Sequence, residues 1–274
     1  MSKKIRHILM ALLLVVFCTA GGVIFFTYQK YEQEDRVYEQ AAEEYTRLAG
    51  DASGPHNGTE AEDSENAAAS YRVDGVPLEV DFPGLREVNG DVAGWIYCEG
   101  TVINYPVLHG EDNDYYLHRN MNRQTHSAGS IFVDAVNQPD FTDSNTIIYG
   151  HHMKNGSMFA SLNKWAEQAY YEEHPVMWLL TPEQDYQILL FAGYTTQAAS
   201  DTYAVFTAPC DELEEYLKQC VEKSDFQADF QIVGQDVHGE ASLGRNDKYV
   251  VLSTCAYSFQ DARYVLHGKL VPVP

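Results

Sequence analysis

From Ile8 to Tyr28 the chain carries no charged side chain, and this run of 21 residues constrains its architecture more than any other feature. As a helix rising ~1.5 Å per residue it would be roughly 30 Å long, the thickness of a bilayer's hydrocarbon core. Lys3, Lys4 and Arg6 precede the run, while Glu32, Glu34 and Asp35 follow it. Basic residues stay on the cytoplasmic side, so this asymmetry puts the N-terminus in the cytoplasm and the rest of the chain outside. A cleaved signal peptide fits less well, because no clear small-x-small site follows the run. Cys18 is preceded by Phe17, where a lipoprotein cysteine needs a small residue. A retained signal-anchor over residues 1–28 is therefore expected, in a single-pass protein of the cell membrane with its bulk extracellular.

The remainder must supply the folded domain. Hydrophobic residues make up 45% of the 274 residues, enough for a conventional core. The 40 Asp+Glu against 18 Lys+Arg give a net charge of −22. Such a surface repels phosphate backbones, which excludes a nucleic-acid binder. Residues 29–70 read as an acidic spacer. Tyr28, Tyr31, Val37, Tyr38 and Ala41 recur at helical spacing over 30–48. Asp51 to Ser70 contains no large apolar residue and has the composition of a disordered tether. Asn57-Gly58-Thr59 matches a glycosylation sequon. The folded domain is expected over 71–274. Of five cysteines, Cys18 falls in the apolar run, and Cys210 and Cys220 flank a helical pattern ~15 Å long, too far apart for a disulfide.

Within 71–274 most apolar segments are short and bounded by Gly, Asn and Asp. Strands are expected at 94–97, 101–107, 129–133, 146–149, 186–195, 248–255 and 263–271. Helices are expected over 157–169, from Met158, Phe159, Leu162 and Trp165, and over 211–223, from Leu213, Tyr216, Leu217 and Val221. Many short strands with a few inserted helices indicate a mainly β barrel or sandwich.

Three residues at strand ends carry chemistry. Cys255 closes the apolar run Tyr249-Val250-Val251-Leu252-Ser253-Thr254, at a place where a substrate can reach a thiolate. Alone, such a cysteine is more often a buried small hydrophobe. His151 and His152 follow Ile147-Ile148-Tyr149-Gly150, where an imidazole can act as acid or base to a thiol. A hydrogen-bonded structural His is the plainer alternative. Arg263 opens the next strand, eight residues after Cys255, and a hairpin-like connection would bring both to one edge. A guanidinium there can donate to an oxyanion, although most single arginines are surface residues. No zinc-type Cys/His spacing, His-Glu-x-x-His or calcium-loop pattern occurs, and no metal or cofactor is implied.

At these residues the chain resembles the sortases, membrane-anchored cysteine transpeptidases of Gram-positive bacteria, and is most similar to their class B. The resemblance is carried by Asp91-Val92-Ala93-Gly94-Trp95-Ile96, Asn104-Tyr105-Pro106-Val107-Leu108 and Asp112-Asn113-Asp114-Tyr115-Tyr116-Leu117. It continues through Ala128-Gly129-Ser130-Ile131-Phe132, Asn145-Thr146-Ile147-Ile148-Tyr149-Gly150-His151-His152-Met153 and Leu252-Ser253-Thr254-Cys255 with Arg263. It spans about Asp81 to the C-terminus. It implies a closed eight-stranded β-barrel with peripheral helices, and 211–223 fits the extra helix that class B places before the cysteine strand. Cys98 departs from the family pattern and reads as a packing residue.

The resemblance further implies that Cys255 is the nucleophile, His151 the catalytic imidazole and Arg263 the third essential residue, with Ser253 and Thr254 touching substrate. His152 fills a position that is not catalytic in the family. The thiolate would attack a threonine carbonyl in the C-terminal sorting signal of a surface protein, and His151 would protonate the leaving amine. An amine of a lipid-linked peptidoglycan precursor would then take the acyl group. Model-compound values near 8.5 for a thiol and 6.5 for an imidazole make a thiolate–imidazolium pair scarce at neutral pH, so a bell-shaped pH–rate profile is expected. The same triad would serve a secreted cysteine peptidase with water as acceptor. A stalked, non-catalytic binding protein would instead tolerate changes at all three residues.

Overall fold

The computed structural model describes residues 3–49, 75–232, 242–256 and 261–273. The N-terminal run lies in one helix, α1 (Lys3–Tyr45), which leads into a short strand, β1 (Thr46–Leu48). Among the described residues no helix is long and apolar enough to cross a membrane. The side chains of residues 8, 9, 11 and 26–28 lie outside the description, and the unbroken described apolar stretch, 12–25, spans only about 20 Å at ~1.5 Å per residue. The single-pass span expected over Ile8–Tyr28 is thus not established by the fold. The expected tether and sequon over 51–70, and the domain start at Tyr71, also lie outside the described residues.

The helix expected over 30–48 forms as far as Tyr45, and its last turns are docked rather than free. Tyr38 and Ala41 are buried, 3% and 4% exposed, in two different apolar clusters of the barrel. β1 then pairs antiparallel with β2 (Leu78–Val80), Thr46 opposite Val80. Asp81 caps α2 (Phe82–Val88), its carboxylate accepting from the Gly84 amide at 3.0 Å, with a proline in the first turn where no amide proton is needed.

The barrel follows. Its strands are β3 (Val92–Tyr97), β4 (Asn104–His109), β5 (Ile131–Val133) and β6 (Asn145–Tyr149). A 3-10 helix (Phe159–Ala166) and α3 (Gln168–Glu173) precede β7 (Val176–Leu180) and β8 (Tyr186–Gln197). A 3-10 turn (Asp201–Tyr203), α4 (Asp211–Lys223) and two short paired strands, β9 (Gln231–Ile232) and β10 (Ser242–Leu243), lead to β11 (Lys248–Cys255) and β12 (Ala262–Pro272). Eight strands close in the order β11-β12-β8-β7-β3-β4-β5-β6, and β6 returns to β11 in parallel. This is the eight-stranded barrel that the resemblance implies.

Strand alternation builds two of the apolar layers. Ile148, Val250 and Leu252 belong to one cluster with Ile96, Val107 and Ile131. Ile147, Val251 and Val265 project to the other face, where Leu213, Leu217 and Cys220 of α4 cover them. Burying each of the two leucines contributes about 1.5–3 kcal/mol. Acidic residues in the first turn of α4 and Lys223 in its last complement the helix dipole. All five cysteines are free, and Cys98 is a buried core residue, 1% exposed.

Three expected elements differ in the fold, the first being β5, which begins at Ile131 rather than Gly129 because a φ of 54° takes Gly129 out of the extended chain. Phe159, Leu162 and Trp165 recur every three residues, which suits the three-residue turn of a 3-10 helix better than an α-helix. The segment expected as one helix is therefore a 3-10 helix followed by separate α3. Strand β4 begins at Asn104 rather than Thr101, because Gly100 (φ 73°) and the Thr101 hydroxyl, donating to the Cys98 carbonyl at 2.8 Å, form a turn.

Gly94 sits at the irregularity between β3 and β4, where a Cβ would fall 2.8 Å from the Leu180 carbonyl oxygen on β7. Gly94→Ala is expected to destabilise the barrel by about 1–3 kcal/mol. Thermal unfolding reads this as a lower Tm, and an unchanged Tm would contradict the β3–β7 approach.

Candidate active site

The site is assembled by strand register. Cys255 and Arg263 are direct antiparallel partners at the open end of β11 and β12. On its other side β11 runs parallel to β6, Ser253 opposite Tyr149, and the Gly150 amide donates to the Ser253 carbonyl at 3.0 Å. Two residues further along each chain bring His151 beside Cys255. All three residues are partly buried and line one cavity of about 340 Å³. Ser253 and Thr254 line it as well. All five residues expected at the site are therefore brought together.

The imidazole is held by a backbone acceptor that no motif points to. His151 Nε2 lies 2.8 Å from the Leu117 carbonyl oxygen. A carbonyl only accepts, so Nε2 carries the proton and Nδ1 is the nitrogen left to exchange one. The neighbouring histidine has a different task. His152 Nδ1 lies 2.8 Å from the Cys255 carbonyl and donates to it, fixing the backbone that carries the thiol. Arg263 Nη1 donates to the Ala262 carbonyl at 3.0 Å, which anchors one arm of the guanidinium and leaves others for a ligand.

Two tyrosines complete the wall. The Tyr203 hydroxyl lies 2.8 Å from Ser253 Oγ. Burial pushes its phenol up; the Ser253 bond and the Arg263 charge pull it back, and Cys255 pushes it further. The four groups thus share one electrostatic environment. Tyr149 donates to Asp134 Oδ2 at 2.8 Å, and burial followed by the Asp134 charge pushes its phenol far up. Asp134 also accepts from Asn113 Nδ2 at 3.1 Å, so a buried carboxylate orients two cavity residues at once. Asn113 and Leu117 lie within a run that carries the family resemblance, whereas Tyr203 comes from a 3-10 turn with no sequence signal.

Chemically, the cavity brings together a thiol, an imidazole and a guanidinium, groups whose chemistry suits acyl transfer. Among the described residues no group of three or more His, Cys, Asp or Glu could hold a metal ion.

The sortase-domain family profile matches residues 96–271 of the chain. Sortase B of Listeria monocytogenes is 34% identical over 224 residues, covering 79% of this chain and 85% of that protein. Among solved structures, sortase B from B. anthracis in complex with AAEK1 superposes with a TM-score of 0.68 at 28% identity, over 90% of this chain and 100% of that one. The Staphylococcus aureus sortase B–substrate complex gives a TM-score of 0.63 at 31% identity, over 70% of this chain and 85% of that one.

Thiol chemistry should separate the cysteines. Burial pushes the Cys98 thiol up to about 12 and the Cys220 thiol up to about 11, and each residue is 1% exposed. Iodoacetamide on the native protein at mildly alkaline pH is expected to label Cys255 and to spare Cys98 and Cys220 until denaturant is added. Peptide mass spectrometry reads the sites, and labelling of Cys98 as fast as Cys255 would contradict the account.

Proposed function

Given that this chain belongs to the sortase family, as a class B cysteine transpeptidase that anchors surface proteins, we propose that Cys255 is its nucleophile, His151 its acid and base, and Arg263 its oxyanion donor. The observation that carries this reading is the register: Cys255 opposite Arg263, and Ser253 opposite Tyr149 two residues before His151.

The Cys255 thiolate attacks the threonine carbonyl of a C-terminal sorting signal. Negative charge collects on the carbonyl oxygen, where the Arg263 guanidinium donates without losing its own charge. The C–N bond breaks as His151 gives a proton from Nδ1 to the leaving amine, leaving a thioacyl enzyme. The wall-precursor amine then loses a proton to His151 and attacks the thioester, and Cys255 departs as thiolate. No cofactor enters the scheme. Ser253 and Thr254, with Tyr149 and Tyr203, contact the bound peptide; their place in the cavity wall supports this.

The N-terminal half of α1 anchors the enzyme in the cell membrane by a single pass, with the barrel outside. Support comes from its apolar side chains: Leu12 to Phe17 are each more than half exposed, up to 77% at Phe17, and a helix apolar on all sides needs a lipid or protein environment. A tether at the bilayer surface raises the effective concentration of the barrel toward a lipid-linked acceptor.

The test uses the full chain in detergent with a panel of threonine-containing sorting peptides and an amine acceptor, read by mass spectrometry. An acyl adduct on Cys255 and an amine-ligated product are expected, with both lost in Cys255→Ala. Arg263→Lys keeps the charge but loses the planar fork, and kcat should fall roughly 10²–10³-fold. Hydrolysis alone with acceptor in excess would favour a peptidase, and no adduct with any peptide would favour a binding protein.

A further inference from the structure

One buried phenol on α1 reaches both chain segments that hold the His151 imidazole. The Tyr38 hydroxyl donates to the Gly129 carbonyl and lies 3.2 Å from Ser130 Oγ. Ser130 Oγ donates to the Arg119 carbonyl at 2.7 Å, and the Ser130 amide donates to the Tyr116 carbonyl at 2.9 Å. These bonds fasten the end of the segment 117–130 to its beginning. Gly129, at φ 54°, is seated against the Leu117 carbonyl, so closely that a Cβ would fall 2.5 Å from that oxygen. The same oxygen accepts from His151 Nε2. Three contacts in series thus join a helix outside the barrel to the imidazole.

A second route runs through the residues after His151. Asn155 Nδ2 donates to Asp35 of α1 at 2.6 Å. The Tyr105 ring meets Tyr38 edge-on at 5.6 Å between centroids, and its hydroxyl accepts from the Met158 amide at 2.9 Å. The next amide, that of Phe159, donates to the carbonyl of His151 itself at 3.0 Å. The imidazole is braced from before and after, and both braces end on one turn of α1.

We propose that Tyr38 is a positioning residue for His151: through Gly129 and the Leu117 carbonyl, α1 fixes the orientation and the Nε2–H tautomer of the imidazole. The inference rests on the reading of His151 as acid and base. It makes the helix between anchor and barrel part of the catalytic scaffold rather than a spacer. A purely structural Tyr38 would act through its ring and set stability alone, whereas a positioning Tyr38 acts through its hydroxyl and sets the rate.

Tyr38→Phe separates the two, with Asn155→Ala and His151→Ala beside it, all in the full chain in detergent, assayed with the sorting peptide and amine acceptor across the pH range of activity. Tyr38→Phe should lower kcat roughly ten- to a hundredfold with the peptide KM unchanged, as misplacement of a catalytic group does. Asn155→Ala removes the exposed tie to Asp35 together with the two bonds its Oδ1 accepts from Ser157, and should lower kcat about two- to threefold with KM unchanged. A wild-type kcat in Tyr38→Phe would overturn the inference, as would a loss equal to the unfolded fraction in a thermal melt. Should Tyr38→Phe fail to fold, an unchanged kcat in Asn155→Ala would overturn it. An active His151→Ala would remove the reading beneath it, whereas an inactive His151→Ala beside a wild-type Tyr38→Phe would reject the inference alone.

Discussion

Everything at the active end of this molecule depends on how β11 is paired. It lies between β12, antiparallel, and β6, parallel, within a closed sheet. The antiparallel side sets Cys255 opposite Arg263, and the parallel side sets the run-out of β6, and hence His151, beside them. A slip of one residue would reverse every side chain of β11, sending Val250 and Leu252 to the wrong face and Cys255 out of the cavity. The apolar alternation that stabilises the barrel is thus the same pattern that fixes the chemistry. The cost of misregister in the core protects the geometry of the site.

Around that frame, environment sorts groups of like chemistry into different tasks. Cys98 and Cys220 are inside apolar clusters, where burial keeps their thiols protonated. Cys255 sits half-exposed at a strand end beside a guanidinium. The adjacent histidines diverge in the same way. His151 donates from Nε2 to a loop carbonyl, which leaves Nδ1 without that tie, while His152 donates from Nδ1 to the Cys255 carbonyl. Adjacent residues on extended chain point to opposite sides, and one imidazole thereby lines the cavity while its neighbour fastens the backbone.

Legibility in the sequence followed the range of the interaction. The bounds of α4 could be read because Leu213, Tyr216, Leu217 and Val221 recur at helical spacing; Cys220, rather than the half-buried Val221, takes the last core position. Strand β11 could be read because its apolar run ends at a cysteine, and the Cys255–Arg263 pairing because one hairpin spans it. Strand β7 was illegible: Val176 to Leu180 is an unbroken apolar run, which suits buried helix and strand alike. The period of three in Phe159, Leu162 and Trp165 blurs α-helix with 3-10 helix. At the site, side chains inside motifs were legible and backbone acceptors were not. The Leu117 carbonyl matters through its position, not its residue type; Tyr203 reaches the cavity from an element far away in sequence, and Tyr38 touches only the segment behind it. Pattern alone presented residues 30–48 as a spacer helix; only packing shows that its last turns belong to the barrel.

The most direct measurement is a crystal structure of the thioacyl enzyme trapped with a sorting peptide. The account predicts the acyl group on Cys255 Sγ, its carbonyl oxygen within hydrogen-bond distance of the Arg263 guanidinium, and His151 Nε2 still on the Leu117 carbonyl. An adduct on another residue would contradict it, and so would an acyl oxygen facing solvent with Arg263 turned away.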